Sequence, residues 1–186
     1  MLFISVFQFS NINHLLCPMT TSEKKWYAVY TNPRAEKKTA EKLIEKGIEV
    51  YLPLQTTIKQ WSDRKKKVEE PLFKSYLFVC VNFEAERISV LETQGVVKFV
   101  RIGGEVPAIR KVIIDAIKLS LANFSDIEIT NQDLQINQEV QVIAGPLRGY
   151  KGKIIEQHGN QYFAVQIEEL GIHMLLKIPA THLLIM

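Results

Sequence analysis

The sequence has few of the residues that build catalytic and metal sites. Its 186 residues include only two cysteines, Cys17 and Cys80, and four histidines. The cysteines form no CxxC pair and the histidines show no ligand spacing, so neither a disulfide framework nor a zinc site is expected. A Gly-rich phosphate loop and a nucleophile elbow are also missing from the sequence. We therefore expect a protein that is not an enzyme and that needs no cofactor or metal.

A strong net charge and a membrane-spanning run are absent as well. The net charge of +3 and the charged share of 23% are ordinary for a soluble domain, so any nucleic-acid surface must come from local clustering of charge. Residues 1–18 are apolar but too short and too often interrupted by polar residues to span a bilayer. We expect residues 1–22 to be a disordered tail, or a mis-set start with Met19 as the true beginning, of a cytoplasmic protein.

The N-terminal half alternates between strand-like and helix-like patterns. Aromatic and β-branched residues predict strands at residues 25–31, 48–58, 73–81 and 96–102. Apolar spacing and capping signals predict helices from Asn32-Pro33 to Gly47, at 83–92 and at 111–123. This order predicts an α+β sandwich over residues 23–124, with helices packed on an antiparallel sheet. A basic loop is predicted at 59–67, and the polar, acidic composition predicts a linker at 125–134.

The segment VQVIAGPLRGYKGKIIE, at residues 140–156, is the most informative in the chain. Two β-like runs flank a loop rich in glycine and proline, which is built to turn tightly. We expect Leu147, Arg148 and Tyr150 on the exposed side of this loop. Further short β-like runs follow up to residue 185, so a small barrel of about five strands is predicted over residues 135–186. The segment resembles a KOW motif, and its glycines disfavour a helical form of this domain.

The two halves together resemble the NusG-like transcription elongation and antitermination factors. The resemblance rests on KWYAVYT, EPLFKSYLFVCV, GVVKFVRIGG and the KOW segment, in that order, and covers residues 24–186. It implies a NusG N-terminal (NGN) domain with an antiparallel sheet, followed by a KOW β-barrel. Lys74-Ser75 stands where housekeeping members usually carry Pro-Gly. This departure favours the specialised UpxY-like and RfaH-like paralogues, which are associated with long surface-polysaccharide operons.

The resemblance implies that an apolar patch binds the clamp helices of RNA polymerase. The matching residues are Phe73 and Tyr76, with Tyr30, Leu52 and Leu54 as neighbours. Exposed aromatic side chains supply much of the energy of such interfaces. The alternative is that these residues belong to the core. We expect Phe73, beside Pro71 at the start of a strand, to be exposed, and for Tyr76 both interpretations stay open.

Two basic segments are candidates for binding nucleic acid. Arg34, Lys38 and Lys42 recur at helical spacing and so share one face that can meet phosphates, while Asn32 can reach a base edge. The resemblance implies that this helix reads the non-template DNA strand. The second candidate is an aromatic residue among positive charges, which can stack on a base: Trp61, Arg64, Lys65, Lys66 and Lys67. The alternatives are a solvated helix face balanced by glutamates and a solvated loop.

The exposed residues of the KOW loop are the third candidate surface. In relatives the barrel contacts a small-subunit ribosomal protein or the termination factor Rho, and Leu147, Arg148 and Tyr150 would serve here. The alternative is that Tyr150 packs on its own barrel. The leading hypothesis is a monomeric factor that rides on RNA polymerase and suppresses pausing or premature termination. The alternatives are a housekeeping NusG with Rho or ribosome coupling, and an RNA- or ribosome-binding KOW protein.

Overall fold

The N-terminal half is built on a four-stranded antiparallel sheet in the order β2-β5-β1-β6. The computed structural model describes residues 23–60, 65–124, 127–130, 136–157 and 160–186. The elements of this half, in chain order, are β1 (Lys25–Thr31), α1 (Glu36–Glu45), β2 (Glu49–Tyr51), β3 (Leu54–Gln60), β4 (Lys65–Pro71), β5 (Tyr76–Val81), α2 (Phe83–Leu91), β6 (Val96–Phe99) and α3 (Lys111–Asn123). The predicted α+β sandwich is confirmed. Among the described residues, no helix is both long and apolar enough to cross a bilayer.

Helix α1 begins later than the sequence predicts. It starts at Glu36, with Ala35 as the N-cap residue. Arg34 has a φ of 63°, in the left-handed region, and therefore cannot continue a right-handed helix. The Asn32 carbonyl accepts a hydrogen bond from the Ala35 N–H at 3.1 Å, which closes a turn ahead of the helix. The predicted helix start at Asn32-Pro33 is wrong, and Arg34 lies outside the helix.

Residues 49–71 differ most from the sequence prediction. The single strand predicted over 48–58 is two strands, β2 and β3, that are separated at Pro53, whose carbonyl accepts the Leu72 N–H at 2.9 Å. Strands β3 and β4 pair with each other from Leu54 opposite Pro71 to Gln60 opposite Lys65, and form a separate two-stranded hairpin. The basic loop predicted over 59–67 is therefore wrong for residues 59–60, which belong to β3, and for residues 65–67, which belong to β4. Residues 61–64 lie outside the described part of the chain.

The C-terminal half is a six-stranded antiparallel sheet in the order β12-β8-β9-β10-β11-β7. Its strands are β7 (Glu128–Thr130), β8 (Ile136–Val142), β9 (Lys151–Gln157), β10 (Asn160–Ile167), β11 (Ile172–Leu176) and β12 (Leu183–Ile185). The five strands predicted from the sequence are confirmed, and the sheet fits a KOW-type β domain. Strand β7 lies within the segment predicted as a linker. Ile127 is buried beside it and Ile129 packs on the same core, so apolar contacts hold residues 127–130 against the rest of the protein.

The N-terminal sheet is buried on both faces. Side chains of a strand alternate between the two faces of its sheet, and each face here packs in its own apolar cluster. In β5, Leu77 and Val79 pack with Leu43 of α1 in one apolar cluster. Phe78 points into the other cluster, where it joins Ile114 of α3. That second cluster continues into the C-terminal half and includes buried residues of the KOW segment and its strands, among them Val140, Leu147, Phe163 and Met174. The two halves therefore share one apolar core, with α3 between their sheets.

Gly152 in β9 lies where no side chain fits. A Cβ at this position would come within 2.6 Å of the Ala164 carbonyl oxygen and of the Phe163 ring. Overpacking of this kind costs about 1–3 kcal/mol, so we expect Gly152→Ala to lower the free energy of unfolding by about 2–3 kcal/mol in urea denaturation. Gly103→Ala is the control, because its Cβ would meet open space and only its positive φ opposes it. A loss at Gly152 no larger than at Gly103 would contradict this assignment.

Candidate functional site

The predicted apolar patch is formed, but it is covered. Phe73 is only 2% exposed, and its ring meets Phe78 edge-on at 5.6 Å between centroids. The expectation that Phe73 is exposed is therefore wrong for this arrangement. Phe73 belongs to the same buried cluster as Ile127 and Ile172, and these residues and Ile129 border one cleft with it. The C-terminal domain thus lies over Phe73, and we call this the closed arrangement.

Tyr30 and Tyr76 form a pair at the edge of the covered surface. Their hydroxyl groups are 2.8 Å apart and hydrogen-bonded, and their ring centroids are 4.6 Å apart. Both side chains are half-buried, so each has an apolar contact surface and a polar tip. The Lys98 ammonium lies 5.5 Å from the centroid of the Tyr30 ring and adds a positive charge there. The structure therefore brings Tyr30, Phe73 and Tyr76 together, and we call them the aromatic patch.

The two leucines proposed as neighbours of this patch lie elsewhere. Leu52 is half-buried against the cluster beneath α1, which is the opposite side of the sheet from Phe73. Leu54 is half-buried at the base of the hairpin, paired with Pro71. The expectation for Leu52 is wrong because its side chain packs on the cluster of Leu43 and Val79, whereas Phe73 packs in the other cluster. Leu54 remains near the segment that leads to Phe73.

An ion pair joins the two domains beside α3. Glu169 Oε1 accepts a hydrogen bond from Arg110 Nε at 3.3 Å and from the Arg110 backbone N–H at 3.5 Å. Arg110 is the N-cap residue of α3 and has no side-chain cap of its own, so the carboxylate of Glu169 caps the helix from the other domain. The Glu169 side chain is 11% exposed, while that of Arg110 is 59% exposed. We call this ion pair the latch.

The KOW loop faces the N-terminal domain. Leu147 is buried in the shared core, so its predicted exposure is wrong, and it lines a cleft with Phe124 at the end of α3. Tyr150 is half-buried against the same core, and burial together with the nearby Asp115 carboxylate of α3 raises the pKa of its phenol. Arg148 alone of the three is exposed. Docking onto α3 thus occupies two of the three residues predicted to bind a partner.

The cations near α1 divide into free and engaged side chains. Asn32, Arg34 and Lys38 are exposed. Lys42 is half-buried and donates a hydrogen bond to Gln94 Oε1 at 2.6 Å, which ties it to the loop before β6. Because Arg34 precedes the helix, the predicted row of three cations on one helical face is reduced to Lys38 and Lys42. The sequence did not reveal that Lys37 forms an ion pair with Glu69 of the hairpin at 3.5 Å.

The hairpin presents positive charge at its far end. Lys65, Lys66 and Lys67 are all exposed on β4. The strand register places Lys66 directly opposite Lys59. Three successive exposed lysines on one strand concentrate positive charge, which suits contact with the phosphates of a nucleic acid. Trp61 and Arg64 lie outside the described residues.

A buried carboxylate that sequence reasoning missed joins α1 to the turn at residues 73–76. Glu36 is 6% exposed and accepts a hydrogen bond from the Ser75 N–H at 2.8 Å. The two residues are far apart in sequence, and a glutamate among lysines gave no signal that it would be buried. The arrangement as a whole offers apolar and cationic surfaces suited to binding.

The Tyr76 phenol should make stability depend on pH. Burial raises its pKa above the ordinary value of 10.0, and the hydrogen bond to Tyr30 raises it further. A pKa raised in the folded state gives stability that is complete below about pH 10 and is lost as pH rises towards the folded value. We expect the free energy of unfolding in urea to fall above about pH 10, and Tyr76→Phe to make this fall shallower. An equal fall in the variant would contradict the assignment. The part of the fall that remains comes from other phenols with a raised pKa, namely Tyr51, whose pKa burial raises to about 12, Tyr27 and Tyr150.

The chain is similar to known proteins in both sequence and fold. The family model described as transcription termination factor nusG matches residues 24–118. The chain is 27% identical over 153 residues to the transcription termination/antitermination protein NusG of Streptococcus pyogenes serotype M3, a match that covers 75% of this chain and 84% of that protein. The serotype M1 protein gives the same values.

A solved structure shares the fold across both domains. A structure concerned with domain interaction in Thermotoga maritima NusG matches with a TM-score of 0.52 at 22% identity, and covers 87% of this chain and 96% of that chain. The family model covers half of the chain, from β1 into α3. This protein is therefore a member of the NusG family of transcription factors.

Proposed function

We propose that this protein is an elongation and antitermination factor that binds RNA polymerase and suppresses pausing or premature termination. Membership of the family supports this role, and the observation that carries the proposal is the aromatic patch at the start of β5. Phe73 from the turn before β5, Tyr76 at the start of β5 and Tyr30 near the end of β1 lie together, and such a group suits the docking of a helix tip. We propose the clamp helices of polymerase as that partner. The Lys74-Ser75 sequence supports a specialised paralogue that acts in the cytoplasm on long surface-polysaccharide operons.

Docking at the aromatic patch requires the closed arrangement to open. Phe73 is buried beneath Ile127, Ile129 and Ile172, so polymerase and the C-terminal domain compete for one surface. The apparent affinity for polymerase is then reduced by the fraction of molecules that are open. The polymerase clamp has its own closed state, which is distinct from the closed arrangement of this protein. A factor that binds only that state of the clamp would favour it and so disfavour pausing.

The cationic surfaces would hold the non-template DNA strand beside the polymerase. Asn32, Arg34 and Lys38 are exposed near the start of α1. The three lysines of β4 extend positive charge along the hairpin, and the ion pair between Lys37 and Glu69 connects this hairpin to α1. Lys42 would join the surface only after giving up its bond to Gln94. Trp61 and Arg64, which precede Lys65 in the sequence, would add an aromatic ring that can stack on a base and a further positive charge.

Opening would also release the KOW loop. Leu147 and Tyr150 pack on the α3 side in the closed arrangement, and with Arg148 they would become available to a ribosomal protein or to Rho. Polymerase binding and recruitment of that second partner would then be coupled through one conformational change. Because opening would free Leu147 for a second partner, we retain a second candidate function, which is the housekeeping role with coupling to the ribosome or to Rho.

Weakening the latch should increase polymerase binding. Glu169→Ala removes an ion pair and a helix cap worth about 1 kcal/mol, so we expect the apparent affinity of the full-length chain for core RNA polymerase to rise about fivefold. Fluorescence anisotropy with labelled protein measures this change. Glu168→Ala, an exposed glutamate in the same turn, is the matched control and should have no effect.

The same titration tests the docking surface. Phe73→Ala added to Glu169→Ala should lower polymerase affinity by at least about tenfold relative to Glu169→Ala alone, as expected for an aromatic residue at the centre of an interface. Thermal unfolding of the same samples checks that the double variant is folded. Unchanged affinity in a folded double variant would contradict docking through the aromatic patch.

The hairpin lysines should contribute to DNA binding in proportion to their charge. Replacing Lys65, Lys66 and Lys67 by alanine removes up to three phosphate contacts, so the slope of log K against log salt concentration for single-stranded DNA should become shallower by about 2. A control variant loses three other exposed lysines, Lys25, Lys111 and Lys151, and therefore the same net charge. If both variants change the slope equally, the hairpin is not a preferred nucleic-acid surface.

A further inference from the structure

The carboxylate of Glu36 is buried where no part of the proposed function has yet used it. It lies in the first turn of α1, where the helix dipole favours negative charge. Removal of a carboxylate from water is costly unless hydrogen bonds replace the lost hydration. Its bond from the Ser75 N–H, at 2.8 Å, spans from α1 to the segment that carries Phe73 and Tyr76. The hydrogen bond from the Ser75 N–H therefore offsets part of the free-energy cost of burying the Glu36 carboxylate.

Ser75 has a backbone conformation that serine rarely adopts. Its φ is 64°, in the left-handed region, and among the described residues only Arg34 is another non-glycine with positive φ. Such a conformation is strained for a residue with a Cβ and persists only when its surroundings hold it. Glycine, which has no Cβ, would adopt this conformation without such strain. In this chain, something other than the residue type must hold the turn.

The turn is held from both sides. Glu36 accepts the N–H of Ser75, and the carbonyl of Ser75 accepts the N–H of Thr31 at 2.9 Å. Tyr76 follows directly, starts β5 and bonds through its hydroxyl to Tyr30. A change of conformation at Ser75 would therefore rotate Phe73 relative to Tyr76. We call residues 73–76 the docking turn.

We propose that Glu36 is a positioning residue for polymerase binding, which fixes Ser75 in the left-handed conformation and so sets the geometry of the docking turn. The proposal rests on the function proposed above, because it assumes that Phe73 and Tyr76 meet polymerase. It also explains how this chain keeps the turn with a serine. Since α1 carries Lys38 as well, Glu36 fixes the docking turn relative to a candidate DNA-binding side chain.

A rescue experiment in the full-length chain tests this role. Glu36→Ala removes the acceptor and should weaken binding to core RNA polymerase about tenfold. Glu36→Gln keeps an acceptor oxygen and should stay within about threefold of the wild type. Ser75→Gly alone should stay within about twofold. In the double variant Glu36→Ala, Ser75→Gly, the glycine adopts the left-handed conformation without the hydrogen bond from its N–H to residue 36. Affinity for polymerase should therefore return to within about threefold of the wild type. Glu41→Ala, an exposed glutamate on the same helix, is the matched control.

Hydrogen exchange at the Ser75 amide gives a measurement that does not involve polymerase. This amide should be protected in the wild type and exchange much faster in Glu36→Ala, as followed by NMR. If the wild type does not bind polymerase at all, the proposed function fails while the exchange result still decides whether Glu36 holds the turn. Glu36→Met, which keeps the volume without an acceptor, replaces Glu36→Ala if the alanine variant does not fold.

Two results would overturn the positioning role. One is wild-type affinity in a folded Glu36→Ala or Glu36→Met variant. The other is a double variant that binds as weakly as Glu36→Ala, because a general loss of fold stability would not be repaired by a glycine at position 75.

Discussion

The apolar contact between α3 and the C-terminal sheet determines which surfaces this protein can use. The same contact buries Leu147 of the KOW loop, while β7 and β11 of the sheet bury Phe73. Full burial of a phenylalanine or leucine side chain stabilises by about 1.5–3 kcal/mol, whereas an ion pair with one exposed partner contributes about 1 kcal/mol or less. The apolar contact therefore provides most of the stability of the closed arrangement, and the latch between Arg110 and Glu169 adjusts it.

The two halves of the aromatic patch are held by different forces. Phe73 is kept in place by contacts with the core and by the overlying domain, and it would be freed when the domains separate. Tyr30 and Tyr76 are held by strand pairing between β1 and β5 and by their own hydrogen bond, which do not depend on the C-terminal domain. Opening would therefore expose a surface that is already arranged, and little ordering would oppose docking. Glu36 serves the same end at the docking turn.

The sequence predicted the elements whose cause is local. Apolar and aromatic periodicity located β1, α2 and α3 closely, and turn residues located the five strands of the KOW domain. It failed where the cause lies in distant contacts or in single backbone angles. The left-handed conformations of Arg34 and Ser75 shortened α1 and β5, and pairing with β4 made strand β3 separate from the main sheet.

The candidate site shows the same limit. Its residue types were identifiable, because aromatics and lysines in this order are typical of the family, but their exposure was not. The sequence predicted Phe73 at an exposed strand start, but the residue lies in the turn between β4 and β5 and packs in one cluster with Ile127 and Ile172, which come much later in the chain. The bond between Glu36 and Ser75 likewise joins two elements with no shared sequence pattern. Contacts between residues distant in sequence, both between the domains and within the N-terminal domain, carry the information that the sequence alone did not provide.

The account depends on separation of the two domains when polymerase binds, and a distance measurement tests this most directly. Spin labels at Ala85 on α2 and Thr181 near β12, both exposed, report the separation in a Cys17→Ser, Cys80→Ala background. Pulsed electron paramagnetic resonance should give one narrow distance distribution for the free protein and a distinctly different one when core RNA polymerase is bound. An unchanged distribution in the polymerase-bound protein would contradict the account.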